Sequence, residues 1–395
     1  MWWATAFMRG KSKNKRGGGP FCFSRVRRGK RLAACADALE ARRRGLQQTA
    51  GGGSAVRRMC VLAGCLLLLL AGCARQTEYT HTFFAMDTVC SLRLPQKGEQ
   101  EGEELSEAVQ QLVAQLEGLW SKTLPDSEVS RLNAGESLTL EGRTAALLVR
   151  SAELCTQTGG AFSPLLGRLT ALWDVQNAVR PPQQEQIEAL LPVPDADLLQ
   201  NAAQPGFSLP EGDCLDLGGI AKGAAGDAVA QLLRAEGVQS ALVVMGGQVG
   251  CLGTKPDGSP WQVAVRDPDG EQGESLGTLL LQDTFAVSSG DYERYFEQDG
   301  VRYSHILDPQ TGSPAQTDLR GVTVVCEDAT KADALSTALF VLGSEGALEL
   351  WRSLGGFEAV LVTADGRLLL TEGLEETFVF SGQERGIVLE TVDQG

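Results

Sequence analysis

The sequence predicts an α+β fold, with a mixed β-sheet core and flanking helices in a single unit. Segments rich in β-branched and aromatic residues outnumber segments with helical periodicity. These strand-like segments come in consecutive groups, which favours an α+β arrangement over strictly alternating strands and helices. Neither an internal repeat nor a linker interrupts residues 77–385, and 395 residues suffice to bury a core of this size.

The first half of the folded part combines short strands with amphipathic helices. Aromatic and β-branched residues predict a strand pair or a bent strand over 82–94. Apolar residues at helical spacing predict a helix over 105–120 and a second over 144–158, which Gly159-Gly160 ends. Between and after them we predict a polar loop over 127–133, an apolar loop over 160–173, and a helix from Pro181-Pro182 to Leu191.

The second half is richer in strands and contains one further helix over about 331–342. The same compositional argument predicts strands over 240–245, 261–266, 278–282, 284–288, 323–326, 358–363, 368–371 and 377–380. Residues 386–395 are expected to be a tail.

Residues 214–233 form the most informative stretch. A short apolar strand is predicted to end at Asp216, followed by a Gly218-Gly219 turn and a helix with Lys222 in its first turn. Glycines allow a ligand close to the backbone, and the free N–H groups of a helix start attract anions, so this composite suits a nucleotide phosphate. Gly223 follows Lys222 where a Walker A loop requires Ser or Thr, and the glycine spacing is not that of a Rossmann fold.

The scarcity of histidine limits the metal chemistry. With only His81 and His305, neither a zinc site rich in histidine nor a two-histidine iron site can be built, so oxygen ligands are favoured, and with them Mg²⁺ or Ca²⁺. Asp333 and Thr337 are four residues apart and therefore project from one face of a helix. The alternative is that Asp333 merely caps that helix.

Other candidate residues also have structural interpretations. His305 lies where a strand runs into an Asp-Pro turn and is either catalytic or structural. Asp291 is either functional or the cap of a turn into a helix, and Met86 is either a ligand contact or a core residue.

The start of the chain differs from the rest. Residues 1–58 are basic, either an arm or a start assigned too early, and they leave residues 59–395 with a charge balance of −28. That balance argues against nucleic acid as a partner. Residues 59–72 have the pattern of a signal peptide, and Leu70-Ala71-Gly72-Cys73 resembles a lipobox, which predicts a lipid anchor at Cys73 and a tether over 73–80. An uncleaved signal anchor is the alternative.

Five motifs in order carry a family resemblance that covers residues 77–385. They are Asp216-Leu-Gly-Gly-Ile-Ala-Lys-Gly223, Gly246-Gly247, Ser289-Gly-Asp-Tyr-Glu293, Tyr303-Ser-His-Ile-Leu-Asp-Pro-Gln-Thr-Gly312 and Ala332-Asp-Ala-Leu-Ser-Thr-Ala338. Their order and spacing resemble those of the ApbE family, the FAD:protein FMN transferases. The resemblance implies a T-fold-like, two-lobed single unit, with the transferase domain over 81–385.

The resemblance also implies site residues. Mg²⁺ would be held by Asp333, Thr337 and the backbone carbonyl of Gly219. Contacts to FAD would come from Met86, the 127–133 loop with Asn133, Ser163, Asp216, Lys222 and His305. Ser163 departs from the family pattern, in which Asp usually follows the Phe, so it brings no charge.

The activity implied by the resemblance is transfer of FMN from FAD to a Thr or Ser hydroxyl of a protein, with release of AMP. Lys222 and Mg²⁺ would offset phosphate charge, and His305 or Asp291 would help to take the hydroxyl proton. The expected acceptor is a flavoprotein of an extracytoplasmic electron-transfer system, reached from a lipid-anchored position on the cell membrane. Two alternatives stay open: an FAD pyrophosphatase that yields FMN and AMP, and a flavin-binding lipoprotein without turnover.

Overall fold

A nine-stranded mixed sheet is the largest element of the computed structural model, which describes residues 78–271 and 273–395. Its strands lie side by side in the order β1 (Glu78–Ala85), β2 (Thr88–Pro95), β3 (Ala241–Met245), β4 (Gln248–Leu252), β7 (Thr284–Gly290), β10 (Leu319–Cys326), β11 (Glu358–Thr363), β12 (Arg367–Thr371) and β14 (Val388–Val392). All neighbours pair antiparallel except β12 and β14, which run parallel.

Two smaller sheets and a set of helices complete the fold. The smaller sheets consist of β13 (Phe378–Phe380), β6 (Ser275–Leu281) and β5 (Trp261–Arg266), and of the hairpin β8 (Tyr295–Gln298) and β9 (Val301–Ser304). The α-helices are α1 (Glu99–Trp120), α2 (Glu128–Asn133), α3 (Gly142–Gln157), α4 (Gly167–Trp173), α5 (Gln184–Glu188), α6 (Ala221–Ala235) and α7 (Ala329–Leu354). Short 3₁₀ segments span Ala196–Asn201, Glu372–Leu374 and Gly382–Arg385.

The large sheet is covered on both faces, which explains the long apolar runs in its central strands. Along β10, Val322 and Val324 belong to the core beneath the helices, whereas Val325 belongs to the core shared with the three-stranded sheet. Successive side chains of a strand point to opposite faces, so one apolar strand contributes side chains to both cores. The predicted α+β class with a mixed sheet is confirmed.

Several predicted elements are confirmed with shifted ends. The 82–94 segment is the hairpin β1–β2, and the helices predicted over 105–120 and 144–158 are α1 and α3. The helix predicted over 331–342 continues to Leu354, past a break at Gly343, whose φ of 72° is not helical. Strands β4, β8 and β14 were not predicted, because they are short or expose many side chains. The strand predicted to run into the Asp-Pro turn is β9, which ends at Ser304.

Other predictions were wrong for local reasons. The 127–133 loop contains α2, because Ser127 caps it and Val129 and Leu132 are buried on one face. The 160–173 loop ends in α4, and the helix predicted over 181–191 is only α5, with Ile187 as its buried residue. Residues 289–294 lead into β8 rather than into a helix.

The predicted domain ends also need correction. Residues 78–80 of the expected tether belong to β1, and the expected tail over 386–395 contains β14. Strand β14 escaped prediction because four of its five side chains are exposed, and backbone pairing with β12 holds it in place. The expected anchor Cys73, the signal segment and residues 1–58 lie outside the described residues. Within the described part, no helix has the length and apolar content needed to cross a membrane.

The contact between α6 and α7 includes a half-buried carboxylate, that of Asp227. Asp227 of α6 accepts hydrogen bonds from Ala329 N and Thr330 N at 2.9 Å and from Thr330 Oγ1 at 2.6 Å. The first amides of a helix lack intrahelical partners, so Asp227 acts as a cap supplied by another helix. This cap joins the two helices that carry the central and the C-terminal motifs.

We predict that Asp227→Ala lowers the free energy of unfolding by about 2–3 kcal/mol, because it leaves partly buried amides without an acceptor. Urea unfolding followed by circular dichroism measures the change. Asp257→Ala is the matched control, since Asp257 lies in an exposed turn and accepts only from Ser259. Equal stability of the two variants would contradict the capping role.

Candidate active site

The segment before the Gly218-Gly219 turn is extended but is not the strand that the sequence predicted. Its backbone groups bond to loops rather than to a neighbouring strand: Asp216 N donates to Pro164 O at 2.8 Å. The Asn133 side chain brackets Leu215, accepting from its N–H at 2.7 Å and donating to its carbonyl at 3.0 Å. Asn133, predicted to contact a ligand, therefore anchors the segment that leads to the turn.

Asp216 is held by three donors. Its Oδ2 accepts from Lys122 Nζ at 2.6 Å and Thr170 Oγ1 at 2.8 Å, and its Oδ1 accepts from Gly218 N at 2.9 Å. Burial alone would raise the pKa of Asp216, but Lys122, Gly218 N and Thr170 together lower it below its ordinary value. Asp216 is thus ionised, and its bond to the Gly218 amide holds the glycine turn in place.

The turn leads directly into α6. Lys222 Nζ donates to Gly218 O at 3.0 Å, which places an ammonium group at the start of the helix, the positive end of its dipole. Gly218 is exposed, so the turn opens to solvent. The structure thus places Lys222 at an exposed glycine turn, and anion binding at this glycine corner stays a prediction.

Asp333 and Thr337 of α7 reach the same corner. Asp333 Oδ2 accepts from Gly223 N at 2.8 Å, and a Cβ added at Gly219 would lie 3.4 Å from Thr337 Oγ1. Gly219 and Gly223 precede Asp333 and Thr337 by more than a hundred positions in the chain. The structure therefore brings together the three predicted metal-ligating residues, Gly219, Asp333 and Thr337.

The donor set suits a hard cation. Asp333 is 4 % exposed, and its Oδ2 accepts from Gly223 N. A carboxylate, a hydroxyl and a carbonyl oxygen are ligands typical of Mg²⁺. The described residues contain no cluster of three or more His, Cys, Asp or Glu side chains, so water and phosphate oxygens would have to complete the shell.

His305 joins the site through Arg294. His305 N donates to Arg294 O at 3.0 Å, and Arg294 Nη2 donates to Asp87 O at 3.2 Å, in the two-residue turn that contains Met86. The His305 ring is open to solvent on one side but surrounded by protein elsewhere. Burial, then the positive charges of Arg294 and Lys222, lower the pKa of His305 to about 4, so the free protein holds a neutral imidazole at pH 7.

Two predicted site residues have other partners. Asp291 pairs with Arg302 at 3.3 Å and with Arg320 at 3.4 Å, so both of its oxygens face guanidinium groups. Burial raises the pKa of Asp291, and the two arginines oppose that rise. Ser163 is buried, and its Oγ accepts from Leu165 N at 3.2 Å.

Sequence reasoning missed Lys122, Thr170 and Glu293. The pKa of Glu293 is raised, because burial outweighs the opposing positive charges of Arg266, Arg294 and Lys222. This carboxyl therefore interacts electrostatically with Lys222 of the candidate site. Lys122 and Thr170 precede Asp216 by 94 and 46 residues, and neither belongs to a motif. Only Glu293 carried a sequence signal, since it ends the Ser289–Glu293 motif.

We predict that Gly223→Ala lowers the free energy of unfolding by about 1–3 kcal/mol, the usual cost of overpacking. The added Cβ would lie 2.3 Å from Ala329 O and 2.8 Å from Asp333 Cβ, forcing α6 and α7 apart. Gly118→Ala is the control: Gly118 lies in α1 with open space around its Cβ position, so alanine should stabilise by about 0.5–1 kcal/mol. Stabilisation by both substitutions would refute the tight contact.

We predict that the ring signal of His305 titrates near pH 4 rather than 6.5 in an NMR pH series of the free protein. Because the folded-state pKa is lowered, the unfolded state binds more protons between these values, and His305 removes stability as pH falls from about 6.5 to 4. His305→Gln should flatten that part of the stability profile. A midpoint at or above 6.5 would contradict the lowered pKa.

Comparison with known proteins agrees with this geometry. The family model described as the ApbE family matches residues 86–361. A protein of Treponema pallidum named FAD:protein FMN transferase is 36% identical over 341 residues, 80% of this chain and 92% of that protein. A protein of the same name from Vibrio cholerae is 33% identical over 289 residues, 71% of this chain and 86% of that protein.

Solved structures give the same result. The crystal structure of the ApbE protein from Thermotoga maritima superposes with a TM-score of 0.68 at 31% identity, covering 76% of this chain and 99% of that one. The apo form of the flavinyl transferase ApbE from Pseudomonas stutzeri superposes with a TM-score of 0.62 at 32% identity, covering 78% and 94%. Sequence, fold and site geometry together establish that this chain belongs to the ApbE family.

Proposed function

We propose that this protein transfers FMN from FAD to a Thr or Ser hydroxyl of a protein acceptor and releases AMP, with Mg²⁺ bound at the glycine corner. The observation that carries the proposal is the meeting of Asp333 and Thr337 with Gly219 and Gly223, beside Lys222. An open anion-binding turn next to oxygen ligands is what a nucleotide diphosphate requires. The relatives named FAD:protein FMN transferase support the choice of FAD and of transfer.

Mg²⁺ would be held by Asp333, Thr337 and the carbonyl of Gly219. When bound, it neutralises phosphate charge and polarises the phosphorus under attack. The hydrogen bond from Gly223 N supports this assignment, because it holds the Asp333 carboxylate beside the glycine turn.

The chain's own groups bind and orient the diphosphate. Lys222 and the positive end of the α6 dipole attract it, and positioning of this kind supplies most of the catalysis in phosphoryl transfer. We assign further FAD contacts to Met86 and His305, which Arg294 holds close together. Asp216, Asn133 and Ser163 are assigned to the same site. In the free protein their polar groups bond to neighbouring protein groups, so we expect them to shape the pocket.

His305 is the better candidate for taking the hydroxyl proton. Its imidazole is neutral in the free protein, and an anionic diphosphate bound nearby would raise its pKa. Asp291 is less suited, because Arg302 and Arg320 occupy its carboxylate. We therefore assign to Asp291 the task of ordering the loop between β7 and β8.

The place of action is proposed from the sequence alone. The basic flank, the short apolar run and Leu70-Ala71-Gly72-Cys73 support a lipid anchor on the extracytoplasmic face of a bacterial membrane. An acceptor in that compartment would be a flavoprotein subunit of an electron-transfer system. The acidic balance of residues 59–395 disfavours nucleic acid as a partner.

We predict that Asp333→Asn reduces FMN transfer at least about a hundred-fold, because removing a charged group that stabilises the transition state typically costs this much. The measurement is the intact mass of an acceptor flavoprotein after incubation with FAD and Mg²⁺. Asp365→Asn is the matched control, since Asp365 lies in an exposed turn and pairs with Arg367.

The assay separates the rival functions. Free FMN and AMP without a protein adduct would establish hydrolysis, and FAD bound but unchanged would establish a binding protein. Full transfer by Asp333→Asn would refute the metal assignment.

A further inference from the structure

Lys122 forms an ion pair with Asp216 across 94 residues of chain. Its Nζ lies 2.6 Å from Asp216 Oδ2 and 3.2 Å from Thr170 Oγ1. The Lys122 side chain is 40% exposed, whereas that of Asp216 is 13% exposed. An ammonium group has three donors, so one of them stays available on the solvent side of this pair.

The loop that carries Lys122 is held in place by its own hydrogen bonds. Ser121 Oγ accepts from Thr123 N at 3.1 Å and from Leu124 N at 3.2 Å, and Ser121 O accepts from Ser130 Oγ at 3.1 Å. The loop is therefore fixed between the end of α1 and α2, and its lysine is presented in a defined position.

The position matters because of the charge of Asp216. Its carboxylate is two residues before the exposed Gly218 and bonds to the Gly218 amide, so it borders the anion-binding corner. A fixed negative charge there would repel a diphosphate. Lys222 is directed at Gly218 O rather than at Asp216, so the cation of the central motif does not cancel this charge.

We propose that Lys122 is a positioning residue of the nucleotide site. It neutralises Asp216, keeps that carboxylate on the Gly218 amide, and so lets the anionic diphosphate of FAD approach the glycine corner. This inference rests on the proposed function for the identity of the ligand. The residue does not touch the reacting atoms, so its effect falls on binding.

The test uses three variants of the whole protein. Lys122→Met removes charge and hydrogen bonds, Lys122→Gln keeps a donor without charge, and Lys122→Arg keeps the charge. Lys97→Met is the matched control, since Lys97 pairs with Glu101 on the surface at the start of α1. The dissociation constant of FAD is measured by calorimetry at low salt and at pH 8, where Asp216 stays ionised. The KM for FAD and kcat are measured in the transfer assay.

We expect Lys122→Met and Lys122→Gln to weaken FAD binding about ten-fold or more, the size of one lost charge-assisted contact. KM should rise by the same factor, while kcat at saturating FAD stays within about three-fold. Lys122→Arg should restore affinity to within about three-fold, and the loss in the other two variants should shrink as salt screens the charge. Lys97→Met should bind FAD like the wild type.

Unchanged FAD affinity in Lys122→Gln would overturn the proposal. Equal losses of FAD affinity in Lys122→Arg and Lys122→Met would also overturn it. So would a loss of affinity that occurs only in variants with a lower melting temperature, because each result indicates that Lys122 maintains the shape of the site and not its charge. If the wild type itself fails to bind FAD, the proposed function fails, and this outcome is distinct because it does not depend on any variant.

Discussion

The hydrogen bond from Gly223 N to Asp333 Oδ2 is the contact on which the site depends. It joins the start of α6 to the first turns of α7, and the close approach is possible because Gly223 has no Cβ. Asp227 repeats the connection one helical turn later by capping α7. With these two links in place, Asp333 and Thr337 of one helix lie beside the glycine turn at the start of the other.

The electrostatics of the site are local. The residues that follow the basic N-terminal region carry a large excess of acidic groups, yet Lys122, Lys222 and Arg294 gather around the corner where a diphosphate would bind. Burial, together with the positive charges of Arg294 and Lys222, keeps His305 neutral. A protein that is acidic as a whole can thus attract an anionic nucleotide, because charges beyond a Debye length are screened and nearby ones dominate.

Much of the fold could be predicted from periodicity. Helices α1 and α3 bury long apolar faces, and central strands such as β11 are apolar on both sides, so their composition is distinctive. Short or exposed elements could not be predicted in this way. Strand β14 turns its side chains to solvent, and α2 has only two buried residues, so backbone pairing and a cap decide these elements rather than composition.

The sequence by itself determined the family and pointed to the residues of the candidate site, because the order of five motifs is a property of the chain that folding does not change. Only the tertiary structure decided how those ligands are supported. Asn133 and Asp216 turned out to bond to the protein, Asp291 to two arginines, and Lys122 entered the site without a motif. The physical reason is that the charge state of a side chain and its available hydrogen-bonding groups depend on neighbours tens of residues away. The spacing of motifs along the chain does not reveal those neighbours.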